Sequence, residues 1–342
     1  MTTRRLCALL LALCLLAVPG CTSETAADPE PEVTPTPTQT PVPTPFSLPY
    51  YPEASLHPIT GDNRTNLVIC SLVYEGLFAL DNTFTPHNVL CSQAAVSEDG
   101  LTWTFTLASR TFSDGTPVTA ADVAASLELA RTSTLYAARL TSVRSVGAGE
   151  DGTVIVTLSD PNTQLPALLD IPIVREVEGS SQPLGTGPYT FSGGASPKLV
   201  RCANAPDSAP AEIPLVAIAG ADDLIYSFDA GEVSLVVSDL TGANALGYST
   251  GYESFDYPTT TMLYVGLRTS GGACSDELVR QALSRAFDRD TVTVSLLAGH
   301  ADTAALPVSP SSVLYDTALA QAAGYSPSAA AALLEQAGYQ KG

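Results

Sequence analysis

Lysine is nearly missing from this sequence: Lys198 and Lys341 are its two representatives. With the arginines they give 15 basic side chains against 35 acidic ones, a net charge of −20 at pH 7. Nucleic-acid binding needs clustered Lys and Arg to meet phosphates, and no such patch exists, so nucleic acid is excluded as a partner. The same shortage excludes adsorption to an anionic lipid surface through a basic face. Histidine is also scarce, with His57, His87 and His300 scattered along the chain, and there is no Cys-x-x-Cys. No metal site and no cofactor is therefore expected. The main apolar run, Leu6 to Val18, is too short to span a bilayer comfortably. What the chain does have is length and apolar content: 342 residues, 45% hydrophobic, exceed one average domain and rule out wholesale disorder.

The first twenty residues read as an address. Arg4 and Arg5 precede the apolar run, which ends in Val18-Pro19-Gly20-Cys21. That arrangement resembles a bacterial lipobox. The resemblance implies a signal peptide over residues 1–20, diacylglycerol on the Cys21 sulfur, and anchoring to a membrane outside the cytoplasm. Residues 21–45 form a Pro/Thr-rich tether. Thr34-Pro35-Thr36-Pro37 and Thr40-Pro41-Val42-Pro43-Thr44-Pro45 favour polyproline II, a semi-rigid spacer. Cys70, Cys91, Cys202 and Cys274 remain for the folded body, allowing two disulfides in three connectivities. Cys70 with Cys91 is the pair to test first, because the two are close in sequence on neighbouring predicted elements.

From Phe46 onwards strand and helix patterns alternate. Asn66 to Leu80 places Ile69, Leu72, Val73, Leu77 and Leu80 at helical spacing, with Asp62, Asn63 and Thr65 as caps. Thr102 to Leu107 alternates strictly, so Trp103, Phe105 and Leu107 share the buried face of a strand. Thr119-Ala120-Ala121-Asp122 has capping-box spacing and opens a helix whose Val123, Leu127 and Ala130 lie on one face. Thr153 to Leu158 is a further strand. Ser275 is positioned to cap a helix with a Val279, Ala282, Leu283, Ala286 stripe and with Arg285 and Arg289 towards its end. Ser326-Pro327 starts another helix, and Gly338 stops it.

Seven segments in order carry a resemblance. They are Val73-Tyr74-Glu75-Gly76-Leu77, residues 96–107, residues 112–123, Gly185-Thr186-Gly187-Pro188-Tyr189, residues 230–235, residues 279–289 and residues 333–339. Together they resemble the family 5 extracellular solute-binding proteins, the peptide and nickel receptors of ABC importers. The resemblance implies an α/β fold of the periplasmic-binding-protein-like type II, two lobes closing on a ligand with a small inserted domain. Carried onto this chain, residues 46–62 and 180–265 form lobe I, 63–179 its inserted subdomain, and 266–342 the start of lobe II. The family's pattern continues beyond residue 342, so the second lobe is expected to be truncated and peptide binding by this chain weak. There are departures: Ala94 stands where Trp is usual, Cys202-Ala203-Asn204-Ala205-Pro206 replaces an Asn-Pro-x-Tyr-Trp, and Arg268 replaces a common Asn.

The expected function is a substrate-binding lipoprotein, not an enzyme. It would capture peptides outside the cell and deliver them to the permease subunits of an ABC transporter. Tyr51, Glu53 and Arg268 are the candidate ligand contacts by analogy, set against a plainer reading as surface or packing residues. The rival classes are a structural surface lipoprotein without ligand and a serine hydrolase. Gly247-Tyr248-Ser249-Thr250-Gly251 fits Gly-x-Ser-x-Gly, but no helical stripe follows, and His300 is the one downstream His. Asp222-Asp223 offers paired carboxylates but reads as a solvated turn.

Overall fold

A computed structural model describes residues 45–238, 247–249, 251–257, 259 and 261–340. The signal segment, Cys21 and the Thr-Pro tether lie outside the described residues.

The described chain opens with β1 (Leu48–Tyr50) and then α1 (Arg64–Val73). The Asn63 carboxamide caps α1 by accepting from the Asn66 amide. The helix stops at Val73, well before Leu80: Tyr74 is extended, and Phe78–Leu80 forms β2, paired antiparallel with β3 (Pro86–Asn88). The apolar period at Leu77 and Leu80 thus continues in a different element. Gly76 lies against the backbone of Asp170 and Ile171, an approach that a Cβ would block.

β4 (Cys91–Val96), β5 (Thr102–Leu107), β6 (Val143–Ala148) and β7 (Val154–Leu158) build an antiparallel sheet in the order β4-β5-β7-β6. Trp103 and Phe105 are buried, while Leu107 is partly covered. α2 (Ala120–Ala130) packs on this sheet through Val123, Leu127 and Ala130, behind a complete Thr119/Asp122 capping box. Asp122 also receives the Arg175 fork, with Nε to Oδ1 at 2.8 Å and Nη2 to Oδ2 at 2.6 Å. The guanidinium carbon sits 4.4 Å from the Phe112 ring centroid.

β8 (Tyr189–Ser192), β9 (Lys198–Arg201) and β10 (Glu212–Ala217) return to the first strand. The resulting sheet runs β1-β10-β9-β8, with β1 parallel to β10 and the other pairs antiparallel. α1, assigned from sequence to the inserted body, packs on β1 and β8 of this sheet. The Gly185-to-Tyr189 motif passes beneath the end of α1: Gly187 donates to the Val73 carbonyl at 2.9 Å. A Cβ on Gly185 would lie 2.1 Å from that carbonyl oxygen, so the glycines here serve close packing. The Thr186 hydroxyl donates to the Glu75 carboxylate at 3.0 Å, which also receives Arg110.

α3 (Ala221–Asp229) follows, and later in the chain come α4 (Glu277–Ala286), α5 (Arg289–Leu297), α6 (Thr317–Ala322) and α7 (Pro327–Gln336). Asp276, not Ser275, caps α4, and Arg289 opens α5 instead of closing α4. Asp carries a charged acceptor that suits the helix N-terminus, which decides the competition between adjacent caps. Ser326 caps α7 and Gly338 ends it at φ +87°. α4 packs on α7, burying Val279 and Ala282 against Ala330, while Leu283 and Ala286 of the expected stripe stay exposed. No helix among the described residues is long and apolar enough to cross a membrane.

Candidate functional site

The loop that leaves β1 is held from several sides. Asn66, fully buried in the first turn of α1, accepts from the Tyr51 amide at 2.8 Å through Oδ1. Its Nδ2 faces the carbonyls of Tyr51 at 2.9 Å, Ala54 at 3.1 Å and Ser55 at 3.3 Å. The Cys70 thiol donates to the Leu56 carbonyl at 3.2 Å. His57 is buried, and its Nδ1 accepts from the amides of Ile59 and Thr60. The ring proton therefore belongs on Nε2, where it is donated to the Glu176 carboxylate at 2.9 Å. A loop pinned at this many points loses little entropy when something binds to it.

Successive strand residues face opposite ways, so Tyr50 and Tyr51 serve different sides of the sheet. On Tyr50's side a cavity of about 290 Å³ opens between the loop and the β8–β9 hairpin. Pro52, Ser55, Gln182, Phe191 and Pro197 help to line it, and none of its lining side chains is charged. It lies at the carboxyl end of β1, the usual place for ligands in open α/β sheets.

On the other side, Tyr51 packs against the small cluster of Ile218, Leu224 and Val233, joined by Phe228 from α3. Burial, and then the negative charge of Asp223, raises its phenol above the ordinary range. Phe228, Tyr248 and Tyr252 form a trio: centroids are 4.7 Å apart for Phe228–Tyr248, 6.1 Å for Phe228–Tyr252 and 6.0 Å for Tyr248–Tyr252. Their mutual tilts of 58–78° are the edge-to-face geometry that aromatic quadrupoles favour. The Tyr248 hydroxyl is buried and has no hydrogen-bond partner among the described residues. Burial raises its pKa, as do the nearby Tyr51, Asp229 and Tyr252.

The sequence-derived candidates fall as follows. Tyr51 belongs to the aromatic face, and Glu53 is exposed on the same loop. Arg268 is exposed and donates through Nε to the Ser270 hydroxyl at 3.2 Å, with no contact joining it to Tyr51 or Glu53. Cys70 and Cys91 are both buried as separate thiols: Cys70 faces the Leu56 carbonyl, and Cys91 the Gln93 carbonyl at 3.1 Å. Ser249 has its hydroxyl and amide on the Asp229 carboxylate, whereas His300 pairs with Asp256, so the Gly-x-Ser-x-Gly match is not joined to the downstream histidine. Asp222 and Asp223 lie in the first turn of α3, where Asp223 accepts from the Ala219 amide, so the solvated turn expected there is a helix start. Asn66 was missed. Its signal is an Asn in line with Ile69, Cys70 and Val73 on the buried face of α1, a position where a polar side chain needs partners.

The profile of the bacterial extracellular solute-binding proteins, family 5 (middle), matches residues 85–342, and the chain belongs to this family. A Brucella ovis protein named for peptide binding in an ABC transporter is 30% identical over an alignment of 275 residues that covers 74% of this chain and 52% of that protein. The glutathione-binding protein GsiB of Salmonella typhi is 25% identical over an alignment of 309 residues that covers 84% of this chain and 60% of its own length. The chain thus spans little more than half the length of these relatives. Among solved structures, CtaP from Listeria monocytogenes gives a TM-score of 0.64 at 20% identity, covering 86% of this chain and 65% of that one. NikA from Brucella suis, in complex with Fe(III)-EDTA, gives 0.59 at 21% identity over 87% of this chain and 64% of its own. The fold is therefore that of the family 5 binding proteins, a mixed α/β architecture.

Proposed function

We propose that this chain is the ligand-capturing component of an ABC importer, that peptides are its cargo, and that it passes them to the permease subunits. The single observation that carries this reading is the family match across residues 85–342. Two further observations support it. The Brucella ovis relative is named for peptide binding. The loop after β1 is rigid, bordered by an uncharged cavity on one side and an aromatic face on the other. Such surroundings suit the backbone and mixed side chains of a peptide, which need hydrogen bonds and roomy apolar walls more than one fixed charge. In this reading Tyr51 and Glu53 contact the peptide from the loop, and Arg268 contacts it from the segment that leads to α4. Residues 1–20 act as a lipoprotein signal, Cys21 carries the lipid, and residues 21–45 hold the body away from the membrane. Catalysis forms no part of the role.

Two experiments test it. Equilibrium dialysis of the chain against a mixture of di- to pentapeptides, followed by mass spectrometry of what is retained, is expected to show bound peptide. Retention of none at millimolar concentration, where a binding free energy of about 4 kcal/mol suffices, would overturn the peptide reading. Metabolic labelling with a radioactive fatty acid is expected to mark the wild type and not Cys21→Ser. Equal labelling of both would remove the anchor.

A further inference from the structure

The aromatic face beside Tyr51 has an unusual charge setting. From Cys202 to Leu267, 66 consecutive residues include no Lys, Arg or His but nine Asp and Glu. Asp223 is close enough to Tyr51 to act on its phenol electrostatically, and Asp229 bears on Tyr248 in the same way. The arginines that stack on rings among the described residues do so elsewhere, Arg139 over Tyr136 and Arg175 over Phe112. The rings of Phe228, Tyr248 and Tyr252 thus have carboxylates as neighbours, and the cation–π contacts among the described residues lie on other rings. Their centroids are too close to enclose a ligand between them, so they form a packed platform. Tyr252, 55% exposed, presents its outer surface. Beneath it the buried Tyr248 hydroxyl lacks a partner among the described residues.

A π-face with carboxylates at its edge attracts a positive group twice, through the ring quadrupole and through charge. An anion would meet repulsion from both. We propose that this platform, with Tyr252 and Tyr51 as its faces and Asp223 and Asp229 as its charges, receives the ammonium or guanidinium of a cationic peptide. The proposal rests on the peptide-capture reading above and narrows it: among peptides of equal length, those bearing Lys or Arg bind best. The long acid-only stretch also draws such peptides in from a distance, an effect that salt screens.

The test uses the 342-residue chain and three tripeptides, Arg-Gly-Arg, Gly-Gly-Gly and Glu-Gly-Glu, with argininamide as a probe of the platform alone. Affinities are read by equilibrium dialysis in low and high salt, and the site by NMR of selectively labelled tyrosines. Arg-Gly-Arg is expected to bind at least tenfold more tightly than Glu-Gly-Glu, the gap shrinking in high salt. Tyr252→Leu and Asp223→Asn are each expected to weaken Arg-Gly-Arg about threefold to fivefold more than they weaken Gly-Gly-Gly, and equal weakening of the two overturns the cation platform. Equal binding of all three tripeptides overturns the cationic preference and leaves peptide capture intact. Perturbation of the Tyr252 ring by argininamide, with no tripeptide bound, supports the platform while removing the peptide reading. Binding of neither tripeptide nor argininamide overturns both.

Discussion

Replacing Asn66 with Ala should unfasten the loop on which both faces of the candidate site depend. The side chain is fully buried, makes one bond through Oδ1, and shares its two Nδ2 hydrogens among three carbonyls. Three hydrogen bonds are therefore lost at a site closed to water. At about 1 kcal/mol each the loss is about 3 kcal/mol, and any of these buried backbone groups left without water adds to it. Asn66→Asp separates the contributions: it keeps the acceptor for the Tyr51 amide but turns a carboxylate towards the three carbonyls, so it should cost at least as much. The assay is urea unfolding followed by the fluorescence of the single Trp, Trp103, which lies in the other sheet and is not itself perturbed by the substitution. In parallel, amide exchange at Tyr51 to Leu56 should accelerate in Asn66→Ala more than exchange in β5. A loss below about 1 kcal/mol, or unchanged exchange in the loop, would refute the idea that Asn66 fixes it.

Other consequences follow from the same structure. Burial pushes the Cys70 thiol up to about 12 and raises Cys91 and Cys202 as well, so at pH 8 iodoacetamide should modify the half-buried Cys274 long before the buried Cys70 and Cys91, as followed by peptide mass mapping. Burial opposes ionisation of Asp122, but the Arg175 fork and Thr119 outweigh it and hold the carboxyl below its usual range. The stability this pair provides is therefore complete above the unfolded value of about 3.9 and fades as pH falls through the lower folded value, so urea midpoints should drop below pH 4 and drop less in Asp122→Asn. Gly187→Ala would place a Cβ 2.6 Å from the Val73 carbonyl carbon, and a loss of about 2–3 kcal/mol is expected in the same unfolding assay, with Gly266→Ala as a control where the Cβ meets no neighbour.

What could be read from the sequence was mostly what is decided locally. The Thr119/Asp122 capping box, the Thr102-to-Leu107 alternation and the Ser326-Pro327 start all rest on neighbours within a few residues, and each appears in the structure. Two errors came where one local pattern competed with another. The α1 period continued across Tyr74 into β2, where long-range packing decided, and Ser275 stood next to Asp276, whose charged acceptor suits the helix N-terminus. The candidate site was less legible because it joins distant segments. Tyr50 meets Gln182 and Phe191 across the cavity, and Tyr51 meets α3 and Tyr248, separations that no periodicity encodes. Family resemblance pointed to the loop after β1. The aromatic platform beside it was visible only once Phe228, Tyr248 and Tyr252 stood together.

The most direct test of peptide capture is to locate a bound peptide on the chain. Amide hydrogen exchange of the 342-residue protein, measured with and without a saturating Lys- and Arg-containing peptide mixture, reads every segment at once. Capture at the proposed site predicts slowed exchange in Tyr51 to Leu56 and in residues 247–257, with β4 to β7 unchanged. Protection confined to β4 to β7, or none anywhere, would contradict it.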